Sequence, residues 1–259
     1  MKHALSLLTI VLAAGTASFH CVADDLTVVS NVVTNGHPGG TDTSYISADH
    51  IRHSQSQGTD MIIDLKSGTM TNINEKNKTY YVVTKQDMEA MQTAMNERMN
   101  DPKMKQAMAA FKGMSSSMAA STEVIKTGVT RKVGGYSCEE WLINMGGAMT
   151  MTECVTSDLK YPVQSWAALA DFNESMRKSM GGFGGIAKAG ADFAEKMKGI
   201  KGFPVASTTT VDAGVMKTTT STEVTEVRRT PIRASTWEVP AGFSQVDNPM
   251  MKSLQQHGR

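Results

Sequence analysis

The sequence predicts an α+β fold in which one antiparallel sheet carries helices on one face. Short β-rich runs punctuated by Gly, Asn and Pro turns dominate the chain. Two stretches between them switch to helical spacing of apolar residues. The resulting order is strands, helix, strands, helix, strands.

Residues 1–23 read as a secretory signal peptide. Met1-Lys2-His3 is a basic start, and Ala4 to Ala17 is an apolar run broken only by Ser6, Thr9, Gly15 and Thr16. Cys21 and Ala23 are the small residues a signal peptidase reads, so cleavage is expected between Ala23 and Asp24. The run is shorter than the about 20 apolar residues of a membrane span. His20 stands where a lipoprotein peptidase takes a smaller residue, so a lipid anchor at Cys21 is not expected. An exported, periplasmic protein follows, with one domain over 24–247 and a flexible tail over 248–259.

The first strands are expected at 26–33, 44–48 with 51–53, 61–65, 69–73 and 79–83, with Asn35-Gly36 and Pro38-Gly39-Gly40 turning the first pair. A helical segment near 85–118 opens with Thr84 and Asp87 in the positions of a cap. Met88, Met91, Met95 and Met99 form one stripe, which Met104, Met108 and Phe111 continue after Asp101-Pro102. Strands return at 124–133, 136–145 and 149–156. A second helical segment near 165–198 is interrupted by Gly181 to Gly185, which reads as a hinge, because it lacks the Lys-Ser/Thr of a phosphate loop. The last hairpin, 203–211 with 215–227, is Thr-rich.

Charge excludes one class of partner. Loss of Lys2 with the leader takes Lys plus Arg from 26 to 25, equal to the 25 Asp plus Glu. Nucleic-acid binding needs a basic excess that displaces counterions, so none is expected. Cys138 and Cys154 remain in the mature chain and read as a disulfide; the alternative of a redox or metal pair lacks both Cys-x-x-Cys spacing and a nearby histidine. The bridge would close a loop of about 15 residues, for about 3 kcal/mol.

Catalytic signals are absent: there is no nucleophile elbow, phosphate loop or dinucleotide fingerprint, and an enzyme is not expected. No cofactor is expected. His50 and His53 would diverge on a strand, as would Glu139 and Glu140, so a metal site is not expected there. Methionine is the one compositional excess, 20 of 259 residues. The stripe from Met88 to Phe111 has three readings: plain core, an adaptable surface for an apolar ligand, or thioether capture of Cu(I).

Several blocks carry a family resemblance. They are Met61 to Leu65, Met70 to Ile73, Asn77 to Tyr81, Val133 to Glu139, Gly202 to Val205 and Val239 to Phe243. In this order they resemble an uncharacterised family of exported bacterial domains, the domain of unknown function family 4412, related to the periplasmic lipoprotein carriers. The resemblance implies a curved antiparallel sheet, an open half-barrel, with helices over its concave face. It implies a cavity for a lipid or other hydrophobic ligand, with Arg52 as a lid contact. The alternatives are an envelope interaction or structural protein without a small ligand, and a Met-rich copper-binding protein.

Overall fold

The computed structural model describes residues 25–98, 122–146, 149–162, 195–212, 216–249 and 251–252. β1 (Leu26–Thr34), β2 (His37–Ile46), β3 (His50–Gln55), β4 (Thr59–Asp64), β5 (Thr69–Asn74) and β6 (Thr79–Val83) form one antiparallel meander. The second meander is β7 (Thr122–Val133), β8 (Tyr136–Met145), β9 (Met149–Thr156), β10 (Phe203–Asp212) and β11 (Lys217–Arg228). β11 pairs with β1 and fuses the two, while β12 (Ser244–Gln245) adds a parallel edge to β6. The product is one 12-stranded open sheet, ordered β12-β6-β5-β4-β3-β2-β1-β11-β10-β9-β8-β7.

This corrects the predicted α+β class. Among the described residues the molecule is mainly sheet, and no helix there covers a concave face. α1 (Lys85–Arg98) is real, and its N-terminus carries a capping box. The Thr84 amide and hydroxyl both donate to Asp87 Oδ2, at 2.8 and 2.7 Å, and the Asp87 amide donates back to Thr84 Oγ1 at 3.1 Å. Yet Met88 is buried, Met91 half-buried, and Lys85, Gln86, Glu89, Ala90, Thr93 and Glu97 are exposed. Among the described side chains of α1, Met88 alone is fully buried. The predicted helical segments 99–118 and 165–194 lie outside the described residues, as do the leader, its Ala23–Asp24 junction and Cys21.

The sheet supplies part of its own cover by curling. Gly134, in the β7–β8 turn, lies against β11, four strands away. A Cβ there would sit 2.6 Å from the Val224 carbonyl oxygen, and its φ is +57°. Beside it Arg131 pairs with Glu223 at 3.2 Å. The main core lies within this curl, built from Leu26, Val28, Ile46, Phe203, Val205 and Val224, with Cys138 and Cys154.

Three local departures from the sequence expectation have physical causes. Asn35 (φ 51°) and Gly36 (φ 78°) reverse the chain alone, as in a type I′ turn. Pro38-Gly39-Gly40 therefore belongs to β2, where a bulge opposite Val32 and Val33 leaves Gly39 extra and tolerates the proline. The run 44–53 is two strands. Ser47 Oγ accepts the His50 amide at 3.0 Å and makes a turn without Gly or Pro. Finally, the chain after β11 crosses back as a strap. The Ile232 amide donates to Asp25 Oδ2 at 2.8 Å, a 3-10 turn at Ala234–Trp237 rests on β3, and β12 ends at β6.

Candidate functional site

Ser137, Glu139 and Trp141 alternate along β8 and so share one face of the sheet. Their partners extend that face. Lys126 lies opposite Trp141 and Thr130 opposite Glu139 on β7, with Val155 opposite Glu139 on β9. A bulge keeps the two β7 residues on this side: Thr127, Gly128 and Val129 together face the single residue Glu140. Gly128 takes φ +81°, and Thr127 Oγ1 donates to the Glu140 carbonyl at 3.2 Å. The segments at Ser157–Asp158 and Gly199–Lys201 wall the face into an open cleft of about 550 Å³. That is within the range of small-molecule sites, about 300–1,000 Å³.

The cleft is polar with one aromatic wall. Lys126 and Lys201 balance Glu139 and Asp158. Lys126 Nζ is 2.6 Å from Glu139 Oε2 and 5.9 Å from the Trp141 ring centroid, a tethered cation over an aromatic face. The strands that floor it are braced from behind. Cys138–Cys154 is a disulfide on the core side of the sheet, with Cα atoms 5.3 Å apart, linking β8 diagonally to β9. The predicted bridge is thus present. Glu153 lies opposite Trp141 on β9, and burial pushes its carboxyl above the ordinary range. The Tyr161 phenol is pushed up to about 12, by burial first and by the Glu153 charge second. Its ring packs at 4.6 Å on Phe203.

The other residues singled out from sequence are dispersed. Arg52 is nearly buried, with 12% of its side chain exposed. Its Nε and Nη2 donate to Asp60 Oδ2, its Nε also reaches Ser54 Oγ at 3.3 Å, and Nη1 donates to the Thr236 carbonyl at 2.9 Å. It clamps the strap to β3. Met88 is buried and Met91 half-buried on α1. The Met95 side chain, Met99, Met104, Met108, Phe111 and the Gly181–Gly185 run lie outside the described residues. His50 stacks on Trp237 at 5.3 Å, and His53 Nδ1 lies 3.0 Å from Ser44 Oγ, so the two histidines have separate partners. Asp42 is 3.7 Å from His53 Nε2. This Ser44–His53–Asp42 row has the residue types of a hydrolytic triad. Its carboxylate, however, is beyond hydrogen-bond reach of the ring it would orient.

Sequence reasoning missed the cleft. The alternation of Ser137, Glu139 and Trp141 was its one local signal, whereas Lys126, Asp158 and Lys201 arrive from separate segments.

A family model described as a domain of unknown function, DUF4412, matches residues 103–243, more than half of the chain and all of the cleft. The chain belongs to this family. Two solved structures of PNGF-II, in different space groups, align with 92% of this chain at 10% identity and a TM-score of 0.41. The chain spans about a third of their length, 34%. No curated protein matches the sequence.

Proposed function

We propose that this member of the DUF4412 family is an exported binding protein of the periplasm, whose small-molecule site is the cleft on β7, β8 and β9. One observation carries the reading: Trp141, four balanced charges and several hydroxyls converge on a concave face whose strands a disulfide braces from behind. A braced floor lowers the ordering cost of binding. The leader supports export, and a disulfide accords with an oxidising compartment. The site is read as non-catalytic because Lys126 pairs with Glu139 rather than with a nucleophile. An apolar ligand along the methionine stripe is the weaker reading, since Met88 is already buried.

A thermal-shift screen of small molecules against the mature protein tests this. Hits that stabilise the wild type and are lost on Ser137→Phe, which fills the cleft from an exposed position, are expected. Hits that ignore this substitution would place binding elsewhere.

A second reading, an envelope interaction protein, is favoured by the outer edge of β7. It ends the sheet, and Ile125 and Val129 are 45% and 49% exposed there. A second copy pairing along this edge would give concentration-dependent dimers in sedimentation that Ile125→Lys abolishes; a monomer at all concentrations removes that reading.

A further inference from the structure

We infer that the cleft takes a neutral saccharide; this rests on the cleft being the binding site. The formal charges of its lining cancel, so the lining has no net charge that would select an anion or a cation. What it does offer is a dense set of donors and acceptors around one large aromatic ring. Thr130, Ser137 and Ser157 supply hydroxyls, which both donate and accept. Glu139 and Asp158 accept, and Lys126 and Lys201 donate. A polyol suits this mixture, because its hydroxyls can each donate and accept and those it buries need at least one partner.

The ring distinguishes a sugar from other polyols. The π face of Trp141 carries negative quadrupole density, which already attracts the Lys126 ammonium. The axial C–H groups on one face of a pyranose present a weakly positive, apolar patch of the same sign. Lys126 is a displaceable cover: it is 48% exposed, and its partner Glu139 is 53% exposed, so the ion pair holds it weakly. When the ammonium swings aside, the sugar ring stacks on Trp141 while Glu139 turns to its hydroxyls. The trough runs along β8, whose repeat is about 3.3 Å per residue, so Ser137, Glu139 and Trp141 present polar, polar and aromatic contacts in line. A linear oligosaccharide suits that line better than a single compact sugar.

The test is calorimetric titration of the mature, oxidised protein with chitotriose and with maltotriose, followed by a panel of free amino acids as zwitterionic probes. Saturable binding of at least one trisaccharide is expected. Trp141→Ala should weaken it by about tenfold and Trp141→Phe by much less, since one aromatic contact is worth about 0.5–1.5 kcal/mol. Ser137→Phe should abolish it with the far-ultraviolet dichroism unchanged. Binding of amino acids but not of either trisaccharide, still lost in Ser137→Phe, would overturn the saccharide assignment and leave the cleft as the site. Trisaccharide binding that survives both Ser137→Phe and Trp141→Ala would overturn both.

Discussion

Two carboxyls illustrate how single residues set the behaviour of the molecule. Asp60 is 5% exposed, and its charge is met by Arg52 and Ser54. Arg52→Met would strand that carboxylate, at a cost of about 3–5 kcal/mol. Adding Asp60→Leu should recover most of the loss, and urea unfolding of the single and double variants checks both. Glu153 is the opposite case, a carboxyl with its pKa raised by burial. The folded state therefore holds its proton more tightly than the unfolded chain does. Its contribution to stability is present below the ordinary value of 4.5 and is lost as pH rises through the raised folded value. Glu153→Gln should remove that loss. The variant should gain on the wild type as pH increases, read from denaturation midpoints across the acid range. A constant difference would mean that the Glu153 proton is not linked to folding.

Elements differ in how far local chemistry specifies them. The turn at Asn35-Gly36, the Thr84–Asp87 cap and the cysteine pair were all legible, because each is a short-range signal with a dominant physical cause. Thr84→Ala should cost about 1 kcal/mol through the orphaned Asp87 amide of α1. Replacing both cysteines with alanine should cost about 3 kcal/mol and loosen the cleft floor; thermal melts of oxidised and reduced protein provide the reading. The Thr-rich hairpin was read as strands, and its hydroxyls pair across β10 and β11, Thr208 with Ser221 and Thr210 with Thr219, each at 3.0 Å. The Ser47 turn was hidden because a side-chain hydroxyl, rather than Gly or Pro, makes it. The helical cover was overestimated because a methionine stripe at period 3.6 signals a helix but not what the helix packs against. On α1, exposed Lys85, Gln86, Glu89, Ala90, Thr93 and Glu97 flank buried Met88 and half-buried Met91.

At the scale of the whole molecule, long-range pairing did what local patterns could not reveal. β1 pairs with β11 across the length of the chain, and the C-terminal strap returns past Arg52 to β6. Both join residues at least 165 positions apart, so neither leaves a local signature. The cleft is non-local in the same way. Its β8 row is readable as alternation, but its charge balance appears only once β7, the segment after β9 and the segment before β10 meet. Export belongs to this scale too. Intact mass of protein recovered from the cell envelope should begin at Asp24, next to the Asp25 that anchors the strap; a chain retaining residues 1–23 would refute cleavage there. The central claim, that small molecules bind at Trp141, is tested most directly by fluorine resonance of protein labelled with 5-fluorotryptophan, with the Trp141 signal assigned from Trp141→Phe. On titration with a trisaccharide or a hit from the thermal screen, the Trp141 signal should shift saturably while that of Trp237, in the strap and stacked on His50, stays in place. A saturable ligand that leaves the Trp141 signal unmoved would contradict the account.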